Sequence, residues 1–127
     1  LHSIIMTSVI LGNYVYGIDS HGEMRCLDLE TGDRVWTDLT LLEKGRWATA
    51  FFVQNGENTW ILTEKGDLVI GRLNPSGFER ISTTHIIEPT TFLPRRSGEI
   101  LWSHPAFAHK HIFVRNDREL ICVDLSK

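Results

Sequence analysis

The feature that most constrains this chain of 127 residues is a strand–turn–strand unit that comes back along it. The run Tyr14 to Leu29 (YVYGIDSHGEMRCLDL) returns near the end as His111 to Leu125 (HIFVRNDRELICVDL), one residue shorter in the turn. Cys26 falls on Cys122, Asp28 on Asp124 and Leu29 on Leu125, a spacing of 96 (122 − 26). A weaker copy, Trp60 to Ile70 (WILTEKGDLVI), lies between them, with Gly66 at Gly22 plus 44 (66 − 22). The second interval is then 52 (96 − 44), and the Pro-bearing stretch Glu88 to Ser97 accounts for its extra length.

Each copy reads as strands. Short β-branched and aromatic runs such as Tyr14–Ile18, Ala50–Val53, Trp60–Thr63, Leu68–Ile70, Ile112–Val114 and Leu120–Val123 stand between Gly, Asn and Asp turn signals. Several are apolar at consecutive positions, which predicts strands covered on both faces. The turns at Asp19–Gly22, Asn55-Gly56, Lys65–Asp67 and Asn116-Asp117 are short enough to join antiparallel neighbours. Only Asp38 to Lys44 is helix-tolerant. Four-stranded propeller blades, the WD-like ones among them, recur at ~40–50 residues. The expected fold is therefore all-β, a partial β-propeller of antiparallel four-stranded blades. Residues 1–127 form one segment, with blades near 4–47, 48–101 and 102–127, the last incomplete.

The residues after the first copy sharpen this. Cys26-Leu27-Asp28-Leu29-Glu30-Thr31-Gly32-Asp33-Arg34-Val35-Trp36 resembles the tryptophan-docking motif of quinoprotein (PQQ)-like β-propeller repeats, Ala-x-Asp-x-x-Thr-Gly-x-x-x-Trp, with Cys26 in the place of Ala. Gly32 suits a bare turn, Asp28 and Thr31 can accept from turn amides, and Trp36 is a flat plate on the outer strand. The resemblance implies that this plate stacks on the next blade's turn and locks neighbouring blades together. Partial copies are Gly98 with Trp102, and Cys122 with Asp124. Ser103-His104-Pro105-Ala106 resembles the lead-in to a further blade. The middle copy has Arg72 where the Asp belongs and Asn74-Pro75-Ser76-Gly77 as its turn.

Bulk properties exclude several classes. Apolar residues make up 42% and charged residues 23%, which is a globular composition. A formal charge of −3 gives no attraction to nucleic acid or to an anionic bilayer. No apolar run reaches the ~18 residues that would span a membrane, so no membrane insertion is expected. Ile4 to Val15 lacks a basic lead and does not read as a signal peptide. A start at Leu1 instead of Met suggests a processed product or an excerpt of something longer.

No catalytic, cofactor or metal constellation emerges. Asp19, Ser20 and His21 have the residue types of a hydrolytic triad, but neighbours in one tight turn cannot form a relay. His109 and His111 share a strand face and could begin a metal site, yet they sit at a hairpin. Cys26 and Cys122 are expected as buried strand cysteines in separate blades, too far apart to bond. Trp36, Trp47, Trp60 and Trp102 are expected as inter-blade packing instead of a ligand-stacking face. Pro94-Arg95-Arg96 could meet an acidic partner, although a solvated loop explains it equally.

The family resemblance implies a non-catalytic scaffold or protein-interaction segment of a larger repeat protein, with Glu88 to Ser97 as the candidate contact loop. Its partners would be another protein or the remaining blades, with self-association through open blade faces. The same resemblance implies a bacterial periplasmic or envelope setting. The alternative is a piece of a quinone-dependent dehydrogenase whose catalytic residues lie in other blades. Only then would PQQ be involved; no adjacent Cys pair or calcium-loop acidic cluster is present here.

Overall fold

The computed structural model describes residues 1–126, so Lys127, the last residue of the expected third unit, lies outside the described residues. Every regular element described is a strand. The first sheet holds β1 (Val9–Leu11), β2 (Tyr14–Ile18), β3 (Met24–Asp28) and β4 (Arg34–Asp38). The second holds β5 (Ala50–Asn55), β6 (Asn58–Thr63), β7 (Asp67–Asn74) and β8 (Gly77–His85). The third holds β9 (Ala106–Ala108), β10 (His111–Arg115) and β11 (Leu120–Asp124). Each is an antiparallel meander in which strands pair in chain order. Short turns leave no other pairing open to neighbouring strands.

The 44-residue repeat is visible in the backbone. The register slips between Cys26 and Leu27 in the first sheet and between Ile70 and Gly71 in the second, the same place one repeat later. Arg72 does align with Asp28 by spacing, but the second hairpin closes two residues later, at Asn74. Asn74 Oδ1 accepts from the Ser76 amide at 2.9 Å, so Asn74, not Arg72, takes the turn-capping role of Asp28.

The side-chain alternation of β6 and β7 makes the second sheet a shared wall. Ile61 and Val69 point into a core with Tyr16, Ile18, Met24 and Cys26 of the first sheet. Leu62 and Leu68 point into a second core with Ile112 and Val114 of the third. Consecutive apolar residues are buried here because both faces of the sheet are covered, as their pattern predicts. The outer strands β4 and β8 are mostly exposed.

The helix-tolerant stretch is not a helix. Asp38 ends β4, and its carboxylate accepts from the amide and hydroxyl of Thr40, both at 2.9 Å. Such a local bond offers the backbone an alternative to a helical turn.

Candidate interaction surface

All the β2–β3, β6–β7 and β10–β11 turns meet the two long connections, residues 39–49 and 86–105, at one end of the sheets. The Trp47 amide donates to Ser20 O at 2.7 Å, Leu101 to Glu64 O at 2.7 Å, and Ile86 to Gly66 O at 3.0 Å.

Each of the three turns is closed by one buried side chain. Asp19 Oδ1 accepts from the amides of His21 (2.8 Å) and Glu23 (2.9 Å). Thr63 Oγ1 accepts from Lys65 (3.3 Å) and Asp67 (3.2 Å), and Asn116 Oδ1 from Arg118 and Glu119 (both 2.8 Å). Asp19 is thus committed to its turn and to Arg25 Nη2 at 2.7 Å. Burial pushes its carboxyl up, but the Glu23 and His21 amides and Arg25 outweigh this and hold it below the ordinary carboxylate range. Sequence reading missed this device, although Asp19 and Thr63 lie one 44-residue repeat apart (63 − 19).

The insertion is held from both sides. On one, the Arg96 guanidinium pairs with the Glu64 carboxylate, both side chains nearly buried, and Arg96 Nη1 donates to Arg46 O at 2.6 Å. Glu64 Oε2 also accepts from the Thr49 amide at 3.1 Å. On the other side, Thr91 Oγ1 donates to Asp117 Oδ2 at 2.6 Å, and Asn116 Nδ2 to Glu88 O at 3.0 Å. Thr91 and Ile100 close the loop by an antiparallel bridge. Arg96 is therefore an internal anchor and not part of a solvated loop. Phe92, beside these anchors, is 71% exposed.

The motif residues lie at the opposite end. Asp28 Oδ1 accepts from the amides of Glu30 and Thr31 (2.9 Å each), Thr31 Oγ1 from Asp33 (3.2 Å), and Gly32 takes φ 77°, which favours glycine. Trp36 stands across from Cys26, 5.9 Å from the Tyr16 ring, and its indole N–H reaches Asn74 O of the second sheet at 2.9 Å. Asp124 Oδ1 accepts from Ser126 at 2.8 Å.

The partial copies diverge. Gly98 (φ 70°) and Trp102 lie in the β8–β9 connection, unpaired by any β3-like strand, and the Trp102 indole nitrogen has no partner among the described residues. Cys26 is fully buried and burial raises its thiol pKa, whereas Cys122 is exposed; both are free. The expectation of two buried cysteines fails for Cys122 because no strand covers it as β4 covers Cys26.

Of the other tryptophans, Trp60 meets Phe107 edge-on at 5.5 Å and so joins the second and third sheets. Trp47 does not join sheets: it sits in the 39–49 loop at φ 62°, with Arg46 over its ring at 4.4 Å. His111 Nδ1 is 2.7 Å from His109 O. Among the described residues no three His, Cys, Asp or Glu side chains gather to hold a metal ion, and no helix is long and apolar enough to cross a membrane.

No protein-family profile matches the sequence, and no curated protein matches it. Among solved structures, the chain is similar to BamB from Moraxella catarrhalis, a propeller of PQQ-like repeats, with a TM-score of 0.58 at 14% identity over 91% of this chain. The fold is that of β-propeller blades. The chain spans 30% of that structure's length, which is the proportion of an arc and not of a closed ring. The three sheets are consecutive blades, and the turns and long connections described above gather on one rim of the arc.

Proposed function

We propose that this chain is a non-catalytic protein-interaction segment of a larger propeller, acting through the rim that carries Glu88 to Ser97. The observation that carries the reading is the anchored insertion: Arg96 and Asn116 hold its two ends while Phe92 stays 71% exposed. An aromatic side chain on a loop already held in place binds with little ordering cost, and such groups dominate interface energies. The likeness to BamB supports a propeller of a bacterial envelope or periplasm as the setting. Neighbouring blades, or a second copy, would cover the outer faces of the first and third blades.

The test is site-specific photo-crosslinking in cells, with a benzophenone amino acid at Phe92 or at Thr83 on the exposed outer strand. The reading predicts a discrete protein adduct from position 92 and none from position 83. Equal labelling, or no adduct at 92, overturns it.

A further inference from the structure

We infer that the cleft between the 39–49 connection and the Arg95–Ser97 turn docks an acidic peptide segment of the partner protein. The inference rests on the interaction reading above and names the chemistry of what would bind there.

The chain as a whole carries −3, yet five of its 13 basic residues line or floor this one cleft: Lys44, Arg46, Lys65, Arg95 and Arg96. The cleft encloses about 220 Å³. Arg96 is neutralised by Glu64, and Lys44 is loosely paired with Glu23 at 3.5 Å. Arg46, Lys65 and Arg95 make no ion pair among the described residues. Lys65 Nζ donates instead to the carbonyls of Ser97 (3.2 Å) and Glu99 (3.1 Å), which fix its position without cancelling its charge. Against these three cations stands one carboxylate without a pair, Glu43.

The groups are also held in place. Trp47 and Arg95 both adopt left-handed backbone (φ 62° and 72°), a conformation that bulky residues keep only where their surroundings enforce it. Arg46 is fixed over the Trp47 ring. A carboxylate entering such a cleft meets the Arg46 guanidinium and the Lys65 ammonium, both held in place, at less than the ~8 Å screening length of physiological salt. Nucleic acid fits less well, because the acidic remainder of the surface would repel a long polyanion.

The probe is a fluorescently labelled decapeptide of glutamate, followed by anisotropy, with a glutamine decapeptide as control. Lys44 and Arg95 are exposed, so Lys44→Glu/Arg95→Glu leaves the core intact, which circular dichroism checks. We expect the acidic peptide to bind at about 0.1 M salt and the double variant to bind it about tenfold more weakly, since reversing two exposed charges turns their attraction for the peptide into repulsion. Arg72→Glu, at the opposite end of the blades, should bind as the wild type does. Unchanged binding in the double variant, an equal loss in Arg72→Glu, or no binding of the peptide at all overturns the inference. A discrete adduct at position 92 alongside a failed peptide test would remove the acidic segment and keep the interaction reading. Loss of both would remove the reading itself.

Discussion

The indole N–H of Trp36 donates to the carbonyl oxygen of Asn74 at 2.9 Å, and through it the outer strand of the first blade is tied to the β7–β8 turn of the second. Nearer the rim, Arg80 Nη2 of β8 donates to Thr40 O, just past β4, at 2.7 Å. Trp36 thus ties the two blades at the end away from the rim.

Trp36→Phe keeps the ring and removes the donor, so it should cost about 1 kcal/mol. Trp36→Ala also removes the plate over Cys26 and Tyr16 and should cost about 3 kcal/mol. Urea unfolding of the variants measures both. Equal losses would mean that the ring packing carries no separate weight, and no loss in Trp36→Phe would mean that the hydrogen bond carries none.

Gly66 lies at φ 83°, and an added Cβ would stand 1.7 Å from Ile87 O. The carbonyl belongs to backbone that cannot yield without giving up the bonds of Ile86 and Ile87 to Gly66. Gly66→Ala should therefore abolish cooperative folding or lower stability by several kcal/mol, well beyond the ~1–2 kcal/mol of left-handed strain alone. Gly56→Ala, at φ 61° with open space around it, should show only that strain. Thermal melts of the two variants make the comparison.

Arg96→Ala leaves Glu64 buried without its cation and should cost about 3–5 kcal/mol. Arg96→Met/Glu64→Gln removes both charges and should be less damaging than Arg96→Ala, because no buried charge is left unpaired. If the double variant unfolds at the lower urea concentration, the pair is not the anchor described here.

Both ring nitrogens of His85 face carboxylates, Nδ1 to Asp67 at 2.8 Å and Nε2 to Glu88 at 3.1 Å, and only the imidazolium can donate to both. The hydrogen bond to Asp67 is the main cause that raises its pKa, with Glu88 adding to it and partial burial opposing. A group whose folded pKa is raised contributes fully below its unfolded value, about 6.5, and loses that contribution as pH rises through the folded value. The stability difference between wild type and His85→Gln should accordingly be larger at about pH 5.5 than at about pH 8.5. A difference that grows with pH contradicts the assignment.

How much of this was legible in the sequence depended on the range of the interactions. Strands, hairpins and the Cys26–Trp36 motif rest on neighbours within one turn, and the sequence shows them directly. The capping role of Asn74 was hidden because the second hairpin is two residues longer, which moves the cap off its repeat spacing from Asp28 to Arg72. Arg96 looked like loop because its partner, Glu64, is 32 residues away (96 − 64) and is brought to it only by the folded insertion. Trp102 has the residue type of a docking plate but no strand like β3 beside it, and residue type alone could not reveal that.

The most direct test of the account is a nuclear Overhauser measurement on the Trp36 indole proton. If the sheets are consecutive blades, it shows cross-peaks to Asn74 and Pro75 and exchanges slowly with solvent. Rapid exchange with cross-peaks only to residues of the first sheet would mean that the two blades do not dock as described.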